Sequence, residues 1–384
     1  MRSYDRARAL RLLEAIEHLW RETTEADSDP LLAYLAHRLA GEDTAIAHRA
    51  RVRSAGAVRR MSRVFSTTVF TFGASAPRRL PPHAIYLNVG QLGWAAPTTA
   101  HWLRGRPDIT SVFMLHDVIP LQHPDLVSRG GLLSLRWMLS TVARHADALI
   151  TTTEAASDTV LETLRRRGHA EVAALSLHLP VAPVFLQPDR ACQEISRYNY
   201  FVICGAVEPR KNHLLLLRIW QNLVRTRGAM APYLIILGSP AHEGRHILQQ
   251  FTADATLRRH VITLSGLPSP ALRRVMANAQ AVLMPSLAEG FGLPVVEALT
   301  VGTPVLASDL PAHREVGGDL ACYLSPHEPA DWVAAILRLI DAPEFAATLR
   351  RRIAAYRPML AEDYFARVVP FLANLPERRA ATGG

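Results

Sequence analysis

Short apolar segments alternate with amphipathic helical segments through most of the chain, and this alternation constrains the fold more than any other feature. The apolar segments are rich in β-branched and aliphatic residues, which predicts buried strands. Strands separated by helices favour parallel sheets that are covered by helices on both faces. The predicted strands are residues 64–72, 84–89, 109–115, 148–152 and 172–177, and then 201–204, 233–237, 261–264, 281–284, 304–307 and 322–324.

A proline-rich segment interrupts the alternation in the middle of the chain. Pro180, Pro183 and Pro188 precede the polar residues 189–199, and this composition is typical of a linker. The chain has 384 residues, which is more than one hydrophobic core usually spans. We therefore predict an α/β protein of two domains. The predicted boundaries are 1–188 for the first domain, whose residues 1–63 are helical, 189–360 for the second, and 361–384 for a C-terminal helix and tail that can pack back on the first domain.

The composition is that of a globular protein, with 49% hydrophobic and 20% charged residues. No apolar run approaches the roughly 18 residues that a transmembrane helix needs. Residues 1–13 lack the apolar core of a secretory signal. The three cysteines and sixteen histidines show no metal-ligand spacing. These observations predict a cytoplasmic protein without a metal site.

The chain is strongly basic, with a formal net charge of +9 and an isoelectric point near 10.0. Such a charge favours anionic partners, which include phosphorylated substrates, an acidic membrane surface and nucleic acid. Because no aromatic residues interleave with the arginines and no nucleic-acid-binding motif is present, we predict no nucleic-acid partner. Either arginine cluster alone is better explained as a solvated helix face. The two clusters are Arg49, Arg51, Arg53, Arg59, Arg60 and Arg63, and then Arg165, Arg166 and Arg167.

The segment from Ser286 to Ala298 carries two carboxylates around a glycine-containing loop. It follows the predicted strand 281–284 and precedes a predicted helix that has Pro294 near its first position. A strand, a glycine loop and a helix N-terminus form an anion-binding arrangement, because free backbone N–H groups and the helix dipole both attract negative charge. The pattern alone is equally consistent with an ordinary strand-to-helix turn.

Polar and glycine-containing segments follow several other predicted strands. Ligands of parallel α/β sheets bind beyond the carboxyl ends of the strands. Two such domains joined by a linker would therefore face each other across a cleft that these segments line. The segments are His116-Asp117, Gly205 to Asn212, Gly238, Gly266 and Glu289 to Glu297.

Several of these segments together resemble one enzyme family. The segment from Glu289 to Ala298, EGFGLPVVEA, resembles the Glu-x7-Glu signature of retaining GT-B glycosyltransferases of family 4. The segment from Glu208 to Asn212, EPRKN, resembles the phosphate-binding segment of the mannosyltransferase-like branch, and the segment from His116 to Leu121 is similar to the same branch. The resemblance covers roughly residues 84–370. It implies a GT-B fold, in which two Rossmann-like parallel-sheet domains face each other across a cleft.

The resemblance also implies the reaction. The family transfers a hexose from a nucleotide-sugar donor, which is a substrate, and needs no metal or other cofactor. This branch implies an α-mannosyltransferase that uses GDP-mannose, and UDP- or ADP-glucose remains open as the donor. The implied acceptor is a glycan or a polyprenyl-diphosphate-linked oligosaccharide in exopolysaccharide or lipopolysaccharide biosynthesis. Such an acceptor would place the basic protein at an anionic membrane surface, as a peripheral protein of the inner face.

The site residues follow from the same motifs. The implied catalytic residues are Glu289, His116 and Lys211. Glu289 would bind hydroxyls of the donor sugar, and Glu297, in the first turn of its helix, would bind the ribose. The chain departs from the family where many members have Gly-Arg, since it has Gly205-Ala206 there. The implied donor-binding residues are Gly205, Arg210, Lys211, Gly290, Phe291, Gly292, Leu293 and Glu297.

Two other classes of function remain open from the sequence. One is a non-catalytic nucleotide- or glycan-binding member of a polysaccharide assembly complex. The retained Lys211, Glu289 and Glu297 argue against it. The other is a GT-B isomerase or phosphorylase, and a phosphorylase would need a cofactor lysine that is not evident.

Overall fold

The computed structural model describes residues 29–42, 80–90, 100–169, 172–188, 193–241 and 244–382. The predicted helical residues 1–28, the arginine cluster between Arg49 and Arg63, and the predicted strand 64–72 lie outside the described residues. Within the described part, no helix combines the length and the apolar character that crossing a membrane requires.

The first domain contains a parallel sheet whose strands follow their order in the chain. Its described strands are β1 (Ile85–Asn88), β2 (Thr110–Leu115), β3 (Ala148–Thr151) and β4 (Ala173–Ser176), and the sheet order is β1-β2-β3-β4. Before them comes helix α1 (Pro30–Leu39), and between them lie α2 (Ile119–Gln122), α3 (Arg129–His145) and α4 (Glu154–Arg165). β2 and β3 are buried along their whole length, as expected for central strands that are covered on both faces.

The second domain contains a larger parallel sheet with the order β10-β9-β8-β5-β6-β7. Its strands are β5 (Tyr200–Cys204), β6 (Tyr233–Leu237), β7 (Val261–Leu264), β8 (Ala281–Met284), β9 (Val305–Ser308) and β10 (Cys322–Leu324). Its helices are α5 (Gln193–Ser196), α6 (His213–Arg227), α7 (Gly244–Ala253), α8 (Ala255–His260), α9 (Ser269–Ala277), α10 (Leu293–Thr300), α11 (Pro311–Gly317), α12 (Pro329–Asp341) and α13 (Pro343–Ile353).

Strand β5 lies at the centre of this sheet and separates two hydrophobic cores. Tyr200 and Val202 pack into the core on one face, and Phe201 and Ile203 pack into the core on the other, because successive side chains of a strand point to opposite faces. The chain runs outward from β5 through β6 to β7 and then returns to place β8 on the opposite side of β5. The order of the strands therefore reverses between β5 and β8, and this reversal defines the ligand-binding crevice of such sheets.

The last helix, α14 (Ala361–Thr382), returns to the first domain. Tyr364, Val368 and Leu375 of this helix are buried against residues of β2 and β3, including Met114 and Ile150. Just before the helix, the Met359 carbonyl accepts a hydrogen bond from the Val181 N–H. The chain thus crosses between the domains at the proline-rich segment and again before α14.

Helix α1 packs against the second domain, and this corrects the predicted boundary that placed residues 1–188 in the first. Its leucines are buried in the same core as Tyr200 and Val202. The Tyr233 hydroxyl donates to the Leu39 carbonyl over 3.1 Å, and Arg38 Nη2 donates to the Arg258 carbonyl over 3.0 Å. The apolar stripe of a helix shows which face is buried but not which surface covers it, so the sequence alone could not assign the helix.

Candidate active site

The loops after β5 and β8 meet at the point where the strand order reverses. The first loop contains a 3-10 turn at Pro209–Lys211 and ends at Asn212, which has a left-handed φ of 55° and precedes α6. The second loop joins β8 to α10. The Leu287 N–H donates to the Arg210 carbonyl over 2.7 Å, so one hydrogen bond ties the two loops together. This pairing places the EPRKN segment beside the glutamate motif, although 78 residues separate Lys211 from Glu289.

A buried cluster of charges occupies this meeting point. The Glu289 side chain is only 6% exposed, and its carboxylate accepts hydrogen bonds from Lys211 Nζ, from Arg210 Nη1 at 2.9 Å and from Ser286 Oγ at 2.8 Å. Arg210 Nε also pairs with Glu208 Oε1 at 2.8 Å. Burial alone would raise the pKa of Glu289, but the charges of Lys211 and Arg210 hold that pKa at about 2. Glu289 is therefore ionised at neutral pH.

Lys211 is the only lysine in the sequence, although the chain contains 43 basic residues. Its side chain is 9% exposed and its ammonium group contacts Glu289. An arginine guanidinium is larger and needs a planar set of partners, whereas an ammonium group is a compact point charge. The one lysine among many arginines is thus a signal in the sequence that marks this site. The resemblance of the motifs did not depend on this signal.

The glycine loop of the second domain lies directly against the first domain. A Cβ atom at Gly290 would be 2.8 Å from the Asp117 Cβ and 2.9 Å from the His116 carbonyl oxygen, so only glycine fits this contact. The Gly290 carbonyl accepts hydrogen bonds from Thr153 Oγ1 at 3.0 Å and from Thr152 Oγ1 at 3.4 Å. The first domain therefore holds the loop that carries Glu289.

The backbone N–H groups at the N-terminus of α10 form the next part of the site. Gly292 precedes this helix with a φ of 93°, a conformation that favours glycine. Among the described residues, none accepts a hydrogen bond from the backbone N–H groups of residues 290–293. Phe291 is buried, whereas Leu293 is 41% exposed. Free N–H groups at a helix N-terminus can bind phosphate or hydroxyl oxygens.

Glu297 lies in the second turn of α10, which corrects the prediction of a first-turn position. The helix begins at Leu293, and no acidic residue falls in its first turn. No described residue hydrogen-bonds the Glu297 carboxyl, and burial raises its pKa to about 7. Burial raises the pKa of the Cys204 thiol most, and the charge of Glu297 raises it further. The Glu297 carboxyl therefore lies near Cys204, at the end of β5.

His116 and Asp117 follow the end of β2, and Asp117 faces the cluster. Burial lowers the pKa of His116, and burial raises the pKa of Asp117, whose Oδ1 accepts the Ile119 N–H at 3.0 Å. The charges of Arg210 and Glu289 both act on Asp117, which shows that it lies near the cluster. A cavity of about 170 Å³ lies here between the domains, and its lining includes Asp117, His123, Thr159, Glu289 and Pro311.

Glu315 forms a second contact between the domains that the motif comparison did not assign a role. Its Oε1 accepts the Glu154 N–H at 2.7 Å, and its Oε2 accepts the Ala155 N–H at 3.1 Å, so the carboxylate sits on the N-terminus of α4. His178 Nε2 lies 3.2 Å from Glu315 Oε1, and the His178 ring packs edge-on against Phe291. A carboxylate of one domain thus binds the helix dipole of the other.

The structure brings most of the predicted site residues together. Gly205 adjoins Lys211, because a Cβ atom there would be 3.4 Å from Lys211 Cε. Arg210, Lys211 and Glu289 are in direct contact, and His116 touches Gly290 through its backbone. Leu293 is the exception, since much of its side chain faces solvent. In the described part of the chain, no group of three His, Cys, Asp or Glu side chains is placed to hold a metal ion.

Comparison with known proteins identifies the domain that carries this cluster. Residues 189–356 match the family model of glycosyl transferases group 1. The second domain is a group 1 glycosyltransferase domain. The resemblance to GT-B glycosyltransferases is thereby confirmed.

Two curated relatives extend the match. The serotype-specific mannosyltransferase WbdA of Escherichia coli is 26% identical over 237 residues, which cover 58% of this chain and 29% of WbdA. The O-antigen chain mannosyltransferase RfbU of Salmonella typhimurium strain LT2 is 25% identical over 245 residues, which cover 63% of this chain and 64% of RfbU. The chain therefore matches less than a third of WbdA and just under two thirds of RfbU.

Solved structures confirm the predicted fold. Sucrose-phosphate synthase from Thermosynechococcus elongatus superposes with a TM-score of 0.59 at 18% sequence identity, over 78% of this chain and 74% of that chain. At this identity the likeness establishes the fold alone, which is GT-B. The group 1 domain thus faces a second parallel-sheet domain across a cleft, as the sequence predicted.

Proposed function

We propose that the chain is a retaining glycosyltransferase that transfers mannose from GDP-mannose to a glycan or to a polyprenyl-diphosphate-linked oligosaccharide. The observation that carries the proposal is the cluster of Lys211, Arg210 and Glu289 at the strand-order reversal, beside the unpaired N–H groups at the N-terminus of α10. Two cations and a set of free N–H groups suit a diphosphate, and a buried carboxylate suits sugar hydroxyls.

The roles follow from the contacts. Lys211 and Arg210 would bind the diphosphate and neutralise its charge as it leaves, and no metal ion or cofactor is part of the proposal. Gly205 would let the diphosphate approach the loop backbone, and the N–H groups of residues 290–293 would bind phosphate and sugar oxygens. Glu297 would accept hydrogen bonds from the ribose. Glu289 and His116 would hold the sugar near its reacting carbon.

We propose a front-face substitution. The bond between the sugar C1 and the phosphate oxygen breaks, and the bond between C1 and the acceptor oxygen forms on the same face. The acceptor proton passes to the leaving phosphate oxygen, so the step needs no protein nucleophile. The protein then acts by positioning the two substrates and by stabilising the charge that develops on the phosphate.

The names of the relatives support the choice of sugar and pathway. WbdA and RfbU are both described as mannosyltransferases, and RfbU as one that acts on the O-antigen chain. These names favour mannose over other hexoses and favour polysaccharide biosynthesis over primary metabolism. We place the protein in the cytoplasm, where nucleotide sugars are available, and at the inner face of the membrane, where a polyprenyl-linked acceptor would be.

One helix face suits contact with an anionic membrane. Helix α3 contains no acidic residue, and Leu133 and Trp137 are about half exposed on it. Arg129, Arg136 and Arg144 are exposed along the same helix. Tryptophan and arginine together suit the headgroup region of a bilayer that carries negative lipids.

Vesicle sedimentation tests this contact. The protein should bind vesicles that contain anionic lipid, and binding should fall as salt is raised. The double variant Arg136→Ala and Trp137→Ala should bind more weakly. The variant Met230→Ala, which removes an exposed apolar side chain from the second domain, should bind like the wild type. Equal binding by the double variant would refute the assignment to α3.

Calorimetric titration with GDP, UDP and ADP and with their sugar derivatives tests the function. We expect tight binding of one nucleoside diphosphate and slow hydrolysis or transfer of its sugar. Lys211→Met should weaken diphosphate binding by at least about ten-fold, which is about 1.4 kcal/mol. Arg227→Met is the matched control, because it also removes a cation paired with a carboxylate of this domain, Asp341, but outside the cleft.

The outcomes separate the open alternatives. If the wild type binds none of the nucleoside diphosphates, the enzyme proposal is refuted. Binding without any hydrolysis or transfer would favour the non-catalytic nucleotide-binding alternative. Transfer of glucose or of N-acetylglucosamine in place of mannose would retain the reaction and correct the donor.

A further inference from the structure

His313 has a buried ring nitrogen without a hydrogen-bond partner directly beside the donor loop. The residue lies in α11 and is fully buried. Its Nδ1 lies 2.9 Å from the Ser308 carbonyl oxygen. Because a carbonyl can only accept, Nδ1 carries the proton and Nε2 carries a lone pair. No described residue donates a hydrogen bond to Nε2.

The unpaired nitrogen faces the loop that we assign to the donor. A Cβ atom at Gly292 would be 3.1 Å from His313 Cδ2 and 3.5 Å from His313 Nε2, so this edge of the ring lies against the backbone of Gly292. The charge of Glu289 raises the pKa of the imidazole and the charge of Lys211 lowers it, so both groups lie near the ring. His313 therefore borders the charge cluster from the side of α11.

The imidazole is suited to accept rather than to donate at this position. Burial lowers the pKa of His313, which favours the neutral ring at neutral pH. The Tyr323 hydroxyl donates to the His313 carbonyl over 3.1 Å and helps to fix the residue. A buried lone pair without a donor is energetically unfavourable, and nearly all buried polar atoms of native proteins have a partner.

We propose that His313 Nε2 accepts a hydrogen bond from a hydroxyl of the donor sugar and contributes to the choice of that sugar. This inference rests on the proposed function. Glu289 and His313 provide acceptors on two sides of the sugar, and the N–H groups of residues 290–293 provide donors. A sugar that lacks the matching hydroxyl leaves Nε2 unpaired, which is the kind of mismatch that polar sites reject most strongly.

Two substitutions at His313 test the inference. His313→Leu removes the lone pair, and His313→Gln keeps an acceptor of similar reach. His260→Leu is the matched control, because His260 is also buried in the second domain and also has an unpaired Nδ1, but it lies beside Tyr233 at the other end of the sheet. Calorimetry would measure the affinity of each protein for the nucleoside diphosphate and for its sugar derivative.

The nucleotide sugar differs from the nucleoside diphosphate only by the sugar, so substitution of His313 should change the two affinities differently. We expect His313→Leu to weaken nucleotide-sugar binding by at least about ten-fold and to change nucleoside-diphosphate binding by less than about two-fold. His313→Gln should restore part of the loss, and His260→Leu should bind both ligands like the wild type. Equal weakening of both ligands, or no change in either, would overturn the inference and assign His313 a purely structural role.

A measurement on the wild type covers the case in which the Leu variant does not fold. In nitrogen NMR of labelled histidines, the Nε2 signal of His313 should move when the nucleotide sugar binds, but not when the nucleoside diphosphate binds. A signal that both ligands leave unchanged would refute the inference alone. A wild type that binds no nucleoside diphosphate would refute the proposed function and this inference together.

Discussion

Replacing Glu297 by glutamine should stabilise the ligand-free protein and weaken its binding of nucleotide. The carboxyl lies in the second turn of α10, largely buried, and no described residue hydrogen-bonds it. Burial raises its pKa to about 7 from an ordinary value of 4.5. The folded protein therefore carries a carboxylate that it does not stabilise, in a place where we propose that the ribose binds.

The size and the sign of the effect follow from the pKa. Below pH 4.5 the carboxyl is protonated in both the folded and the unfolded chain, so it imposes no penalty. Between pH 4.5 and 7 the unfolded chain loses its proton first, and stability falls. Above pH 7 the full penalty is about 3 kcal/mol. Glutamine cannot ionise and removes this penalty.

Thermal unfolding across pH measures the stability half of the prediction. The melting temperature of Glu297→Gln should equal that of the wild type near pH 4 and should exceed it above pH 7. For a domain of this size, about 3 kcal/mol corresponds to roughly 6–12 °C. Glu344→Gln is the control, because that glutamate is exposed in α13 of the same domain and its substitution removes only a surface charge.

Nucleotide titration at pH 6 and pH 8 measures the functional half. An ionised Glu297 accepts hydrogen bonds from ribose hydroxyls better than a neutral one does. Wild-type affinity should therefore rise between pH 6 and pH 8, whereas the glutamine variant should bind about ten-fold more weakly at pH 8 and with little dependence on pH. A variant that is no more stable than the wild type above pH 7 would refute the reasoning about burial. An unchanged affinity would refute the assignment of the ribose site.

Three further predictions address other contacts of the site. Gly290→Ala places a methyl group 2.8 Å from Asp117 Cβ, so small-angle scattering should show a more open protein, and transfer should be lost. An unchanged shape and activity would contradict this. Glu315→Gln removes the charge that caps α4, which should lower the free energy of unfolding by about 0.5–2 kcal/mol and speed hydrogen exchange at the start of that helix. Unchanged exchange there would show that other groups hold the helix N-terminus. An amine-selective reagent should modify only Lys211 and the chain terminus, and bound nucleoside diphosphate should protect Lys211. Mass spectrometry of the digested protein measures this protection, and modification that the nucleotide does not slow would place Lys211 outside the donor site.

The alternation of apolar and helical segments predicts the sheets well. Each described strand falls within a residue or two of its predicted segment, and even the short β10 is found at residues 322–324. The reason is that central parallel strands are buried on both faces, so their apolar runs stand out from the amphipathic helices around them. The position of a loop at a carboxyl strand end follows from the same pattern, and this placed Glu289 and Lys211 at one edge of the sheet.

Contacts between distant segments could not be derived in this way. The pattern did not show that α1 packs on the second domain or that Glu315 caps α4, because both contacts depend on how separate elements are arranged in space. It did not give the turn of α10 in which Glu297 lies, because a helix boundary can shift by a residue or two. It also gave no reason to select His313, since a single histidine in a polar segment is indistinguishable from a surface residue until its burial is known.

The buried charges of the site explain how it can remain folded both with and without a donor. Glu289 pairs with both Lys211 and Arg210, and Glu208 also pairs with Arg210, so two carboxylates balance the two cations. An unpaired charge at this depth would be costly. In the proposed reaction the diphosphate takes over the two cations, and the sugar hydroxyls take over the carboxylate. Each buried charge then exchanges one partner for another and is never left alone. Thr152 and Thr153 of the first domain hold the carbonyl of Gly290, which follows Glu289 in the chain. A change of partner at the Glu289 carboxylate in the proposed reaction would therefore also affect the contact between the domains.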